Sequence, residues 1–257
     1  MQGHGLKAAP TWGGFRFSWR GDGRVRCWAY IDGFNFYNGA AKRTGYKWVN
    51  LLTLSQQLRP NDTIERVKYF TAAVEARPND PDQTRRQRTY WRALKTIDCL
   101  DRIEGQFRSH DRNMPLKASV DTLKELKRRG ADLRGIRPIT VKVVRAEEKG
   151  TDVNLAAHLV HDANQADPAN TFEAALVLST DSDLAEAIRL VTKEIGKNVY
   201  VCRPNPKNAT SKLGSVATSV FDLPTRILRA SLFPPTLADA RGPFKSPPGW
   251  DGPSTRP

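Results

Sequence analysis

Short runs of β-branched and apolar residues alternate along this chain with segments of helical spacing, and that alternation limits the fold more than any other feature. Residues 25–31 (VRCWAYI), 64–73 (IERVKYFTAA), 139–145 (ITVKVVR), 174–179 (AALVLS) and 198–202 (NVYVC) read as strands. Several are nearly continuously apolar, as strands buried on both faces are. Between them, Leu51, Leu54 and Leu58 recur at helical intervals, as do Leu155, Ala156, Leu159, Val160 and Ala163, and then Leu184, Ala187, Ile188 and Val191. The alternation predicts an α/β fold, a doubly wound parallel sheet of about five strands flanked by helices in a single domain. Residues 98–138 are the least regular. Within them 103–108 allow one more strand and 120–129 (VDTLKELKRR) a helix closed by Gly130, so this region is expected to be an insertion.

Composition separates the ends from this core. Residues 1–24 hold six of the eighteen glycines, and residues 234–257 hold seven of the seventeen prolines. Neither segment has enough apolar content to order itself, which leaves 25–233 as the expected domain between two disordered ends. Apolar runs such as 174–178 fall far short of the ~18 residues of a membrane span. The first twenty residues also lack a secretory apolar stretch, so a cytoplasmic location without a membrane partner is expected. Cys27, Cys99 and Cys202, odd in number and far apart, read as buried free thiols.

Forty-one Lys and Arg against twenty-seven Asp and Glu give a net charge of +14. Residues 84–145 contain seventeen of the cations and only seven of the anions. So local an excess points to a polyanionic partner, with RNA the expected one and Arg85, Arg86, Arg88, Arg92, Lys127 and Arg128 the expected backbone contacts. Phe34, Phe36, Tyr37, Tyr90 and Trp91 are expected in the core first and as base-stacking platforms second. Nothing in the sequence argues against a homo-oligomer.

Acidic residues are scarce, and four of them fall where predicted strands end or helices begin. Asp32 follows the first strand (AYIDGFNFY), Asp152 opens a helix (EEKGTDVNLA), and Asp181 and Asp183 follow a strand (LVLSTDSDL). In an open parallel sheet these positions share one edge, the edge where ligands bind. Carboxylates gathered there repel one another unless a cation lies among them, and an all-oxygen set suits Mg2+ or Mn2+. Gly33 lets the backbone turn closely after Asp32, and Asn35 offers an amide beside it. His158 and His161 lie three apart on a predicted helix and read as surface residues, since no third ligand is placed near them. There is no G-x-G-x-x-G, Walker loop or G-x-S-x-G elbow.

The segments YIDGFNFY, EEKGTDVNLAAHLV and LVLSTDSDLAEAIRLV, in that order, resemble the motifs of the NYN domain family, a PIN-like branch of metal-dependent ribonucleases. The resemblance covers roughly residues 24–223. It implies a PIN-like fold and a Mg2+- or Mn2+-dependent endoribonuclease in which metal-activated water attacks the RNA phosphodiester. Asp32, Asp152, Asp181 and Asp183 are then the catalytic metal ligands, Asn35 their neighbour and Lys149 a phosphate or supporting contact. The alternative is a non-catalytic RNA-binding or regulatory module on the same scaffold.

Overall fold

The computed structural model describes residues 24–76, 80–205 and 211–252. Residues 1–23 of the expected disordered N-terminal segment and the last five of the expected tail lie outside them. In chain order, β1 (Val25–Asp32) runs into α1 (Gly33–Phe36), a π turn (Tyr37–Ala41) and α2 (Lys42–Thr44). These are followed by α3 (Leu51–Leu58), β2 (Asp62–Thr71), α4 (Gln83–Leu94), β3 (Leu100–Glu104), β4 (Gln106–Pro115), α5 (Lys117–Arg128) and β5 (Thr140–Lys149). Next come α6 (Thr151–Ala163), β6 (Ala174–Leu178), α7 (Ala185–Arg189), β7 (Asn198–Arg203), α8 (Ser211–Val216), β8 (Ser219–Asp222), α9 (Thr225–Ala230), β9 (Thr236–Asp239) and β10 (Gly242–Lys245).

Six strands, all parallel, pair in the order β3-β2-β1-β6-β7-β8, one more than the pattern of runs suggests. Helices cover both faces, and the period-two alternation of β1 shows how. Cys27, Ala29 and Ile31 pack toward α3 and α4, while Trp28 and Tyr30 pack toward α6 and α7. Strand β6 (AALVL) is buried along its whole length because both its faces are covered. From β1 the chain winds outward through β2 and β3, then returns to lay β6, β7 and β8 on the other side of β1. The reversal opens a crevice beyond the carboxyl ends of β1 and β6. Cys27 and Cys202 are buried free thiols, with Cys99 half-buried.

Two segments differ from the sequence reading. Residues 139–145, expected in the parallel sheet, fall from Thr140 onward in β5, which pairs antiparallel with β4 in a separate two-stranded arm. Their alternating β-branched pattern suits a hairpin as well as a sheet. The insertion accordingly begins after β3, whose Leu100–Glu104 belongs to the main sheet. Residues 234–252, read from their prolines as disordered, form the β9–β10 hairpin and bury Trp250. Arg92 holds that hairpin with two bonds to the Asp239 carboxylate, at 2.8 and 2.6 Å, and one to the Gly242 carbonyl. Neighbouring Phe244 stacks beneath the Arg92 guanidinium, 4.1 Å from its ring centroid.

Candidate functional site

The crevice is built from the ends of β1 and β6. Asp32, the last residue of β1, accepts the Asn35 N–H at 2.9 Å and so caps the helical turn that follows. Gly33 is required for a steric reason, since a Cβ there would sit 2.7 Å from the Phe70 carbonyl oxygen and 2.8 Å from the Tyr69 ring. Ser179, fully buried just past β6, donates its hydroxyl to Asp32 Oδ2 at 3.0 Å and accepts the Asp181 N–H at 3.1 Å. Thr180 donates both its N–H and its hydroxyl to Asn35 Oδ1, at 3.2 and 2.8 Å. These bonds lock the two strand ends together. Asp152 enters from α6, whose start depends on Gly150 at a φ of 88°, a left-handed conformation open to glycine at little cost.

Asp32, Asn35, Asp152 and Asp181 thus line one cavity of about 430 Å³, together with Phe34, Asn38, Thr151, Thr180 and Asn205. Burial, its largest influence, pushes the Asp32 carboxyl above the usual carboxylate range. The Asn35 N–H and the Ser179 hydroxyl oppose that rise, and the Asp181 charge adds to it.

Asp183 is exposed and outside this lining, and its N–H serves the cap made by Asp181. Asp152 accepts the N–H of its own neighbour Val153. Among the described residues, no three His, Cys, Asp or Glu side chains form a group able to hold a metal ion. Lys149 is exposed at the foot of the arm and does not line the crevice.

The expected phosphate contacts are also dispersed. Arg85 is exposed beside Asp82, Arg86 is held by Asp80, and Arg88 lines a different depression next to Trp91. Arg92 is committed to Asp239, while Lys127 and Arg128 are exposed on α5 of the arm, where Arg128 pairs with Glu125. Of the five aromatics, Phe36, Tyr90 and Trp91 are buried, and Phe34 reaches the crevice. His158 is half-buried, with its Nδ1 3.3 Å from Lys68 Nζ.

Sequence reasoning missed Ser179, Thr180, Asn38 and Asn205. Ser179 and Thr180 stand in the very turn that carries Asp181, and Asn205 lies just beyond β7 at the same sheet edge. The rule that picked out the acids applies equally to these neutral side chains.

No family model matches the chain. It is 27% identical over 199 residues to the 6-hydroxy-3-succinoylpyridine 3-monooxygenase HspA of Pseudomonas putida (strain DSM 28022 / S16). The alignment covers 70% of this chain and 60% of that relative's length. In fold it is similar to a crystal structure of a protein of unknown function from Vibrio parahaemolyticus RIMD 2210633. That comparison gives a TM-score of 0.48 and 12% identity, covering 80% of this chain and 97% of the other. The named relative is a monooxygenase, which overturns the ribonuclease expectation and the RNA-binding module set against it. The expected Mg2+ or Mn2+ cofactor falls with it, because the carboxylates do not assemble into a metal-holding group among the described residues.

Proposed function

We propose that this chain takes part in oxidoreductase-type chemistry on a small hydroxylated aromatic compound, and that Asp32 accepts the proton of the ring hydroxyl. Likeness to a monooxygenase named for a hydroxypyridine supports the class of chemistry. The observation that carries the assignment to a residue is the half-buried Asp32, oriented by Ser179 and Asn35 and facing a cavity large enough for one ring. A carboxylate held above its ordinary range is a stronger base at neutral pH than a solvated one. Removing the hydroxyl proton makes the ring electron-rich, which prepares its carbon for an electrophilic oxygen atom. Thr180 and Asn35 fix the polar wall against which the ring is oriented. We take the scaffold to be NYN-type and PIN-like in layout, on the strength of the three motifs whose residues line the crevice.

Monooxygenation places one atom of O2 in the substrate and reduces the other to water with two electrons from an external reductant. The residues at the switch point do not fit the pyrophosphate of a redox dinucleotide. The turn after β1 is D-G-F-N rather than a glycine-rich loop, its Asn35 N–H is already taken by Asp32, and carboxylates line the space the phosphates would enter. The chain's own contribution is to bind, orient and deprotonate.

The test is turnover of 6-hydroxy-3-succinoylpyridine with a nicotinamide reductant, following oxygen uptake and label from 18O2 in the product. Asp32→Asn is expected to lower the rate by about 10²-fold or more, the usual contribution of a positioned base. An unchanged rate in the variant, or no label incorporated by the wild-type chain, overturns the reading.

A further inference from the structure

A second cavity, of about 420 Å³, adjoins the acidic crevice across Phe34 and Asn38, which line both. Its walls are aromatic and stiff. Tyr69 meets Tyr90 edge-on with centroids 6.4 Å apart, and Tyr90 meets Trp250 likewise at 5.9 Å. Tyr90 is anchored by its hydroxyl, which donates to the Val49 carbonyl at 2.8 Å. The Trp250 carbonyl accepts two N–H groups, from Lys47 at 2.8 Å and Trp48 at 2.9 Å.

The rim carries the opposite charge from the crevice. Lys42, Lys47 and Arg86 stand against a single carboxylate, Asp80, and Arg86 already occupies both oxygens of that carboxylate at 2.6 and 2.5 Å. Neither lysine has a carboxylate partner among the described residues. Burial, and then the charges of Arg86 and Lys42, push the Lys47 ammonium below the usual lysine range, with Asp80 opposing in part. An anion seated there would restore it.

We infer that this cavity binds an aromatic carboxylate, with the ring packed against the wall formed by Tyr69, Tyr90 and Trp250 and the carboxylate on Lys47 and Lys42. The inference deepens the function proposed above, because a substrate whose hydroxyl end faces Asp32 must keep any carboxylate of its own away from Asp152 and Asp181. Only the arrival of the ligand at Asp32 rests on that reading; binding in the aromatic cavity does not.

The test is calorimetric titration of the full chain at pH 7 with 4-hydroxybenzoate, 4-hydroxybenzamide and cyclohexanecarboxylate. The aromatic carboxylate is expected to bind about tenfold tighter than either the neutral amide or the alicyclic acid, and Lys47→Gln to erase its advantage over the amide. Equal affinities for benzoate and amide, a Lys47→Gln variant with full preference, or no saturable binding overturns the inference. Binding with the expected preference and no turnover of any substrate sinks the proposed function alone, and turnover without the preference sinks the aromatic carboxylate site alone.

Discussion

Asp32 was visible in the sequence because it ends an unambiguous strand and is followed by a glycine, whereas the residues that set its chemistry were not. Ser179 lies 147 positions away and is neutral, so nothing in its local pattern separates it from an ordinary turn serine. The cost of placing Asp32 there is measurable. Its proton is bound more tightly in the folded protein than in the unfolded chain, so the stability tied to it is fully present below the ordinary carboxylate range and is lost as pH rises through the folded value. Asp32→Asn, uncharged throughout, is expected to melt at a higher temperature than the wild type at pH 7 and at nearly the same temperature near pH 3. Matching melting curves at pH 7 would mean that the carboxylate is well solvated.

A buried ion pair shows a different balance. Asp162 accepts from the Tyr30 hydroxyl at 2.7 Å and from Lys68 Nζ at 2.5 Å, with both ion-pair partners buried under the sheet. Lys68 lies on β2, and its partner comes only from the approach of α6 across the sheet. Lys68→Met leaves the Asp162 charge buried with a single hydrogen bond from Tyr30. It is expected to cost about 3–5 kcal/mol in a denaturant titration.

Among the elements, the strands of the main sheet were legible because being covered on both faces leaves a continuous apolar signature. The arm was not. Its β4 strand (QFRSHDRNMP) has no such signature, and it is a strand only because β5 runs back along it. None of the arm's described residues belongs to either packed cluster, and Met114, Leu116, Leu126, Ile136, Ile139 and Val141 all lie exposed on it. The arm closes on a narrow base, with Gln106 paired to Lys149. Replacing residues 107–148 by a two-residue turn is therefore expected to preserve cooperative unfolding and to shift the melting temperature by only a few degrees. Loss of cooperativity on excision would show that the arm contributes to the core.

At the level of the whole molecule, the strand–helix rhythm was enough to give the architecture, and the architecture was enough to bring Asp32, Asn35, Asp152 and Asp181 to one edge. Rhythm could not tell that Asp183 faces away, because that depends on which way a single 3-10 turn rotates. Nor could composition tell that a proline-rich end returns to the body of the protein. Prolines argue against regular elements, but Phe233, Phe244 and Trp250 are spaced to meet Trp48 and Tyr90, and Asp239 finds Arg92.

The carbonyl of Trp250 holds the amides of Lys47 and Trp48, about two hundred positions earlier in the chain. In order of synthesis every strand of the main sheet precedes this segment, so the aromatic chamber stays open until Trp250 has been made. Closure of the chamber is thus deferred until after the strands of the main sheet have been made.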